Sequence, residues 1–314
     1  MPDPDWGNQT AITEFILLGF GDLPDVHIFL FMLFLVIYFT TVAGNSLVMA
    51  LIVADHQLHT PMYFFLGNLS CLEICYSTTI LPKILVSLLT GDRTISVSGC
   101  ITQLYFFGSL IGTECCLLAV MSYDRYLAIC KPLHYSATMN TRLCFQLLAS
   151  GSWTGGFLAS SITTVLISQF TFCGSNVMDH FFCDFIPLVK LSCNDPQQME
   201  MLAFTLCLIF SLVPFLLTMI SYICIITTIL RIPSTTGKQK AFSTCFSHLT
   251  VVSIFYGTVM LVYMFPTTSL LRDVKKVFSV FYTILTPLVN PLVYSLRNKE
   301  VKEALRKAYR KCRF

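Results

Sequence analysis

The residue pair Asp124-Arg125 lies at one end of an apolar stretch, residues 100–121, that is about long enough to cross a bilayer. Adjacent ionised side chains beside a hydrocarbon layer are costly unless they pair with each other or contact water. A pair at this boundary can therefore serve as a switch that is released when a neighbouring helix moves. The alternative is a simple interfacial anchor, because arginine at a helix end commonly extends its charge into the interface.

Two carboxyl side chains, Glu73 and Glu114, lie within apolar stretches. Each costs about 2.5 to 3.5 kcal/mol if it is ionised at the centre of a bilayer without a partner, so such groups are usually functional. Asn45 and Asn290 fall at a comparable depth, and the four residues together predict one polar cluster. We interpret this cluster as a site for a cation or a proton, with a purely structural hydrogen-bond network as the alternative.

These polar residues must be positioned by membrane helices, because the composition excludes an ordinary soluble protein. The chain has 314 residues, of which 55% are hydrophobic and only 12% are charged, against about a quarter charged in soluble domains. The mean hydropathy is +0.71. The sequence predicts an all-α membrane protein, a seven-transmembrane helix bundle over residues 28–296 within a single domain of residues 1–314. The seven apolar runs of spanning length lie at residues 28–54, 62–89, 100–121, 143–168, 199–230, 241–265 and 277–296.

The distribution of charge predicts the orientation. Residues 1–27 contain acids but no Lys or Arg, so we expect them to form an extracellular N-terminal segment. Asn8, followed by Gln and Thr, fits the pattern for N-glycosylation on that side. The segment lacks the basic start and apolar core of a signal peptide, so the first helix is expected to direct insertion. Residues 297–314 then form a cytoplasmic tail, and the cytoplasmic side carries fourteen of the 20 basic residues, namely Arg125, Lys131, Arg142, Arg231, Lys238, Lys240, Arg297, Lys299, Lys302, Arg306, Lys307, Arg310, Lys311 and Arg313.

Four cysteines fall on the predicted outer side of the membrane. Cys100 lies at the start of helix three, and Cys173, Cys183 and Cys193 lie in a long outer loop, residues 169–198. Oxidation is permitted on that side, so two disulfides are expected. Four cysteines allow three pairings, and the spacing does not choose among them.

Four sequence segments carry a family pattern. They are PMYFFLGNLS at 61–70, MSYDRYLAIC at 121–130, KAFSTCFSHL at 240–249 and PLVNPLVYSLRN at 287–298. Together they resemble the signature set of vertebrate odorant receptors, a branch of the rhodopsin-like G-protein-coupled receptors, and the resemblance covers the whole chain. The third segment is the most specific, because rhodopsin-like receptors in general share Asp-Arg-Tyr and Asn-Pro-x-x-Tyr but not that string. Within the family the chain is most similar to the tetrapod-type class.

The resemblance implies particular bonds and moving parts. Cys100 would bridge to Cys183 and Cys173 to Cys193, which turns the outer loop into a lid over the bundle. A proline inside helix seven breaks its hydrogen-bond ladder and provides a hinge. Opening of the inner face would admit the C-terminal helix of a stimulatory G-protein α subunit of the olfactory type. The residues implied to act in this activation switch are Asp124, Arg125, Tyr126, Tyr222, Asn290, Pro291 and Tyr294.

The resemblance also places a sodium ion in the polar cluster of Asn45, Glu73, Glu114 and Asn290. Glu73 departs from the Asp that is common at its position in the family. Its longer side chain leaves room for a neutral carboxyl held by hydrogen bonds instead of a sodium ligand. No other cofactor is expected.

The expected ligand follows from what the outer bundle lacks. Residues 101–113 of helix three contain no acid, so an amine would find no counter-ion there, and residues 277–296 of helix seven contain no Lys for a retinal Schiff base. An apolar site remains, for a molecule of about ten heavy atoms bound with millimolar to micromolar affinity. Tyr263 and Thr283 are each expected to bind one ligand oxygen. The family's pocket positions, for which ordinary helix packing is the alternative, are Leu104, Phe107, Gly108, Ile111, Gly112, Leu206, Phe210, Tyr256, Val259, Met260, Tyr263, Val280 and Thr283.

The sequence thus predicts an odorant receptor of the plasma membrane, not an enzyme, that binds small volatile molecules and raises cyclic AMP through a stimulatory olfactory-type G protein. A sensory role would place it in the ciliary membrane of olfactory neurons.

The tail is predicted to form a short amphipathic C-terminal helix along the membrane lipids, because apolar residues recur in it at near-helical spacing, at Val301, Leu305, Ala308 and Cys312. This helix either contacts the G protein or anchors the tail electrostatically. A transporter would usually show internal repeats, and a seven-helix channel of the insect odorant type would reverse the topology against the charge bias. Nucleic acid is not an expected partner.

Overall fold

The structure is a computed structural model, and it describes residues 12–21, 24–173, 175–193, 201, 204–206, 208–264, 269–297 and 299–312. Two predicted site residues fall outside this description: Asn8 entirely, and Tyr294 for its side chain. The same holds for the side chain of Cys312 in the predicted C-terminal helix.

Long helices dominate the described part of the chain. In order they are α1 (Pro24–Ala54), α2 (Pro61–Thr90), α3 (Val97–Cys130), α4 (Pro132–Thr138), α5 (Thr141–Gln146), α6 (Thr154–Ile167), α7 (Phe185–Val189), α8 (Val213–Arg231), α9 (Thr235–Tyr263), α10 (Ser269–Val280), α11 (Thr286–Arg297) and α12 (Lys299–Cys312). Three π-helical segments make longer continuous stretches: Leu147–Trp153 joins α5 to α6, Leu208–Leu212 leads into α8, and Phe281–Leu285 joins α10 to α11.

Five helices among the described residues are long and apolar enough to cross a membrane by length and composition. A sixth helical stretch is the α5–α6 unit with its π segment, and a seventh is α9, whose apolar part is His248–Tyr263. Many large apolar side chains on these helices are exposed, as on the free face of α1, where Ile28 is 77% exposed. Such a surface suits contact with lipid tails. The five spanning helices are Val26–Ala54, Pro61–Thr90, Val97–Cys130, Phe204–Arg231 and Leu271–Val293.

Two helices extend well beyond their predicted apolar spans. Helix α3 continues nine residues past the predicted end at position 121, so Asp124 and Arg125 lie inside the helix. The seventh membrane helix begins with α10 at Ser269 instead of position 277. Its first turns carry Lys275 and Lys276, which lie before the apolar span of residues 277–296. The helices are longer because hydropathy indicates only where the hydrocarbon layer ends, whereas helical backbone hydrogen bonds continue into the polar region beyond it.

Three short strands were not predicted in an all-α protein. Strand β1 (Glu14–Leu17) pairs antiparallel with β2 (Thr94–Ser96) and parallel with β3 (Val177–Met178), in the order β2-β1-β3. Phe15 and Leu17 point into a buried apolar cluster beneath the sheet. The sheet and both disulfides lie at the same end of the bundle, which we call the disulfide end. The opposite end, with Asp124 and Arg125, is the Asp-Arg end.

Helix α3 packs unusually close to α6. A Cβ atom at Gly156 would clash with the carbonyl oxygen of Ser109 and with Thr113, and one at Gly112 would lie 3.1 Å from the Cα of Gly156. Only glycine allows this approach, because it carries no side chain. The close contact sets the position of the α6 wall against α3 in the disulfide half of the bundle.

Candidate ligand-binding site

A cavity of about 670 Å³ lies at the disulfide end, between α3, α6, α7, α9 and the π segment Leu208–Leu212 with the residues just before it. Its walls are mainly apolar, and its size falls within the range of sites for small molecules. Nine of the thirteen residues predicted to contact a ligand line this cavity: Leu104, Phe107, Gly108, Ile111, Gly112, Leu206, Phe210, Val259 and Tyr263.

The other four predicted pocket residues do not line the cavity. The hydroxyl of Tyr256 is buried and donates to the carbonyl oxygen of Cys115 at 2.6 Å. The hydroxyl of Thr283 donates to Ser279 O in its own helix at 2.5 Å. Val280 packs against the main core, and Met260 is one position further round α9 than Val259. Thr283 is therefore not placed to bind a ligand oxygen in this cavity.

Most of the cavity residues that the sequence did not predict fall into two groups. The first lies on α6, a helix that none of the mapped family positions included, and the second comes from α7 in the loop that forms the lid. A short loop helix gives no periodic signal in the sequence, so only its fold over the bundle reveals it. The additional lining residues are Cys115, Ala159, Ser160, Thr163, Thr164, Asp184, Phe185, Ile186, Val189, Lys190, Met201, Phe204, Ser211 and Met264.

The lid supplies charged groups to the cavity wall. Asp184 is the N-cap of α7, and its carboxylate accepts hydrogen bonds from the N–H of Phe185 and the hydroxyl of Tyr263, both at 2.8 Å. The Tyr282 hydroxyl lies 3.1 Å from that of Tyr263. Tyr263 thus lines the cavity with its hydroxyl already bonded to protein. The acid that residues 101–113 lack is provided by the loop, with Lys190 also in the wall.

Two disulfides hold the lid in place. Cys100 is joined to Cys183, with 5.4 Å between their Cα atoms, and Cys173 is joined to Cys193, with 5.8 Å. These are the pairings that the family resemblance implied. Beside the Cys100–Cys183 disulfide, the side-chain oxygen of Gln103 accepts a hydrogen bond from Cys183 N at 3.0 Å. A covalent bond and a hydrogen bond therefore attach the loop to α3 at the same place.

Ionisable groups attach the same loop to α10. The ammonium of Lys276 donates to Asp179 at 2.6 Å, and this bond lowers the pKa of the Asp179 carboxyl. Arg272 contributes a longer contact of 3.8 Å. His180 is buried and makes ring contacts with Phe181 and Phe182, and burial lowers the pKa of its imidazole. A charge pair therefore attaches the lid to α10. The lid also contains a buried histidine whose neutral form is favoured.

The predicted polar cluster forms in the middle of the bundle. The amide of Asn290 donates to the carboxyl of Glu73, and the amide of Asn45 donates to Pro287 O at 3.2 Å, one turn away on α11. Glu114 is buried and close enough to Glu73 for their charges to interact. One oxygen each on Glu73, Glu114 and Asn290 is buried without a hydrogen-bond partner. No group of three His, Cys, Asp or Glu residues suited to a metal occurs among the described residues.

At the Asp-Arg end, single hydrogen bonds connect the helices. Buried Asp124 accepts from the hydroxyl of Tyr135 in α4 at 2.8 Å. Tyr222 of α8 and Nδ1 of His248 in α9 lie 2.6 Å apart, with their rings stacked. His248 belongs to the KAFSTCFSHL segment but was not assigned a role from the sequence.

The remaining switch residues surround these bonds. Arg125 interacts electrostatically with Asp124 and with His248, and Tyr126 packs against the apolar cluster of Tyr222. Pro291 is buried against Gly44 of α1, where an added Cβ would lie 3.5 Å from the proline ring.

Comparison with known proteins identifies the family. Residues 34–311 match the family model of olfactory receptors. Olfactory receptor 5AP2 of Mus musculus is 51% identical over 302 residues, which are 96% of this chain and 94% of that protein. Olfactory receptors 6F1 and 5B12 of Homo sapiens are 49% and 50% identical over 306 residues, which are 98% of this chain and 99% and 97% of those proteins. The chain belongs to the olfactory receptor family.

Family membership confirms the predicted fold class, a seven-transmembrane helix bundle of the rhodopsin-like superfamily. As an olfactory receptor the chain is a multi-pass protein of the plasma membrane and not an enzyme. A small-molecule ligand and a G protein are the partners that the family implies.

The C-terminal helix of this olfactory receptor docks against the Asp-Arg end. Val301 and Ala304 of α12 are buried, and the ammonium of Lys307 lies 3.1 Å from the carboxylate of Asp55. The hydroxyl of Tyr63 donates to Glu300 at 2.6 Å. Leu305, from the predicted apolar face, is 41% exposed instead of packed on the bundle. This exposure leaves Leu305 free to contact lipid.

Proposed function

We propose that this olfactory receptor binds small, mostly apolar volatile molecules in the cavity at the disulfide end and activates a stimulatory G protein of the olfactory type, which raises cyclic AMP. The observation that carries this proposal is the cavity of about 670 Å³, with apolar walls, beneath a loop held by two disulfides. A volatile of about ten heavy atoms gains roughly 4 to 8 kcal/mol in such a site, which corresponds to millimolar to micromolar affinity. Broad tuning to many ligands follows from that limit.

The proposed orientation places the N-terminus and the disulfide end outside the cell. The charge bias supports it, because basic residues concentrate on the Asp-Arg side and along α12. Disulfides also form in the oxidising environment that this orientation gives them. The G protein then meets the Asp-Arg end, where single hydrogen bonds between helices can break without loss of a covalent link.

The polar cluster in the middle of the bundle is proposed to hold a sodium ion or a proton. Three buried oxygens, on Glu73, Glu114 and Asn290, lack partners, and oxygen ligands suit a hard cation. A cation would neutralise the carboxylates there, whereas a proton on one carboxyl would let it donate to the other. The variant Glu114→Gln is expected to abolish inhibition of signalling by sodium. Unchanged inhibition would exclude the sodium site.

The function is tested by co-expressing the receptor with the olfactory G-protein α subunit and measuring cyclic AMP against a panel of volatile odorants. A ligand-dependent rise that disappears in Arg125→Ala would support the proposal, because that variant removes the charge at the G-protein end and leaves the cavity intact. Silence of the wild type despite verified surface expression would contradict the proposed ligand class or the proposed G protein. Repeating the panel with other α subunits separates these two cases.

A further inference from the structure

We propose that the hydroxyls of Ser211 and Thr164 bind the oxygen of alcohol, aldehyde or ketone ligands, in place of Tyr263 and Thr283. This inference rests on the proposed function of the cavity. Both residues line the cavity, and the hydroxyl oxygen of each is buried without a hydrogen-bond partner. Neither was a family pocket position.

The hydroxyl of Ser211 differs from other serine hydroxyls in the membrane helices. Ser109, Ser122 and Ser221 each donate to the carbonyl oxygen four residues earlier, at 2.7 to 2.9 Å. This bond is the usual way in which a helix satisfies a buried serine. Ser211 makes no such bond.

The π-helical segment Leu208–Leu212 explains part of this difference. A π-helical turn pairs backbone groups five residues apart, so the carbonyl oxygens are displaced from their α-helical positions. Hydroxyls at the other two π segments use this geometry, because Ser152 donates to Leu147 O and Thr286 to Phe281 O, each five residues back. The hydroxyl of Ser211 is buried and makes no such bond. A buried hydroxyl without a partner costs free energy, so its position in the cavity wall favours a partner from the ligand.

Thr164 shows the same contrast with its neighbour. Thr163 also lines the cavity, but its hydroxyl donates to Ala159 O at 3.1 Å. The hydroxyl of Ser160, which also lines the cavity from α6, donates to Tyr105 O at 2.7 Å. The wall of α6 and the π segment therefore contains two engaged hydroxyls and two unengaged ones. Rotation about the single Cα–Cβ bond is enough to turn either unengaged hydroxyl towards a ligand.

The groups predicted to bind oxygen are already occupied. Tyr263 donates to Asp184 at 2.8 Å, and Thr283 is buried outside the cavity wall with its hydroxyl on Ser279 O. A ligand oxygen that accepts the proton of Tyr263 would break the bond of Tyr263 to Asp184 in the lid. Use of Ser211 or Thr164 breaks no protein hydrogen bond, and this difference favours them as the ligand's partners.

The test compares two double variants of the purified full-length receptor. Ser211→Ala with Thr164→Val removes the unengaged hydroxyls, and Ser160→Ala with Thr163→Val removes the engaged ones as a matched control. Binding is measured as the ligand-induced thermal shift for 1-octanol, octanal and 2-octanone, and for n-nonane, in which a methyl group replaces the hydroxyl of 1-octanol. We expect the first double variant to lose about 3- to 10-fold in affinity for the best oxygenated ligand, the effect of one hydrogen bond, and to keep its affinity for nonane.

The control double variant is expected to keep its preference for the oxygenated ligand and to be less stable without ligand, because it loses two internal hydrogen bonds. The first double variant is expected to be at least as stable as the wild type without ligand, because it removes two buried hydroxyls that have no protein partner, and this distinguishes a binding role from a structural one. Equal affinities for the oxygenated ligand in the wild type and the first double variant would overturn the inference. So would a wild type that binds no oxygenated ligand. A wild type that binds them but raises no cyclic AMP would contradict the proposed signalling function and leave this inference standing.

Discussion

The two ends of the helix bundle are held together by different kinds of contact. At the disulfide end, two disulfides, a three-stranded sheet and a charge pair fasten the lid above the cavity. At the Asp-Arg end, the polar connections between helices are not covalent: they are hydrogen bonds, such as that of Tyr222 with His248, and the ion pair of Lys307 with Asp55. A covalently fastened end keeps the shape of a binding site, whereas an end without covalent links can rearrange at lower cost. The fold thus separates a fixed end from a movable one.

Removal of the disulfide between α3 and the lid is expected to have the largest effect. The Cys100–Cys183 bond joins residues 83 positions apart, and the Cys173–Cys193 bond joins residues only 20 apart. The loss of entropy in the unfolded chain then predicts a stabilisation of about 4.5 kcal/mol from the first bond and about 3.3 kcal/mol from the second. Cys100→Ala should therefore abolish nearly all surface expression, and Cys173→Ala should reduce it less. Surface labelling of intact cells measures both. Equal losses would show that loop closure does not determine how firmly the lid is held.

At the Asp-Arg end, Tyr222→Phe is expected to cost about 1 to 3 kcal/mol of stability, because Nδ1 of His248 is left buried without this partner. The cavity lies at the other end, so ligand affinity should stay within about twofold of the wild type. Thermal unfolding and ligand binding of the purified receptor measure the two quantities. A large loss of affinity would show that the two ends are not separable.

Acidification is expected to lower the stability of the disulfide end through protonation of His180. Burial lowers the pKa of this imidazole below its usual 6.5, with Asp184, Asp179 and Lys276 as the nearby charges. Because the unfolded histidine binds a proton first, its contribution to stability is complete above pH 6.5 and is lost as the pH falls towards the folded-state pKa. The loss is at most about 1.4 kcal/mol between pH 6.5 and 5.5. Thermal unfolding of His180→Phe should be less sensitive to pH in this range, and an unchanged pH profile would assign the effect to other groups.

The smallest expected effect is that of the charge pair between the lid and α10. Asp179 is partly exposed, so Lys276→Gln should cost about 0 to 1 kcal/mol, and less at high salt. Since the pKa of Asp179 is lowered from 3.8, the carboxylate stays charged above about pH 4, and the pair should not respond to mild acidification. Arg272→Gln is the matched control, because its contact is longer and more exposed. Thermal unfolding in low and high salt measures both variants, and equal effects would show that the short bond has no special role.

Much of the membrane architecture follows from local properties of the chain. The apolar runs, the basic tail and the four family segments predicted the seven-helix class, and family membership confirms it. Local hydropathy did not predict where α3 ends or where α10 begins, because helical hydrogen bonds extend beyond the hydrocarbon layer. The strands were also missed, because runs of two to four residues give no clear periodic signal.

The cavity shows the same difference between what the local sequence predicts and what the tertiary structure decides. Positions such as Leu104 and Val259 could be mapped from the family pattern, because they lie on long helices whose spacing is regular. The roles of Asp184, Ser211 and Thr164 depended on which hydrogen bonds other segments leave open. Composition and periodicity determine which segments enter the membrane, since transfer from water depends on each segment's own residues. Which polar atoms are already satisfied depends on segments distant in sequence, so only the tertiary structure decided where a ligand oxygen could be bound.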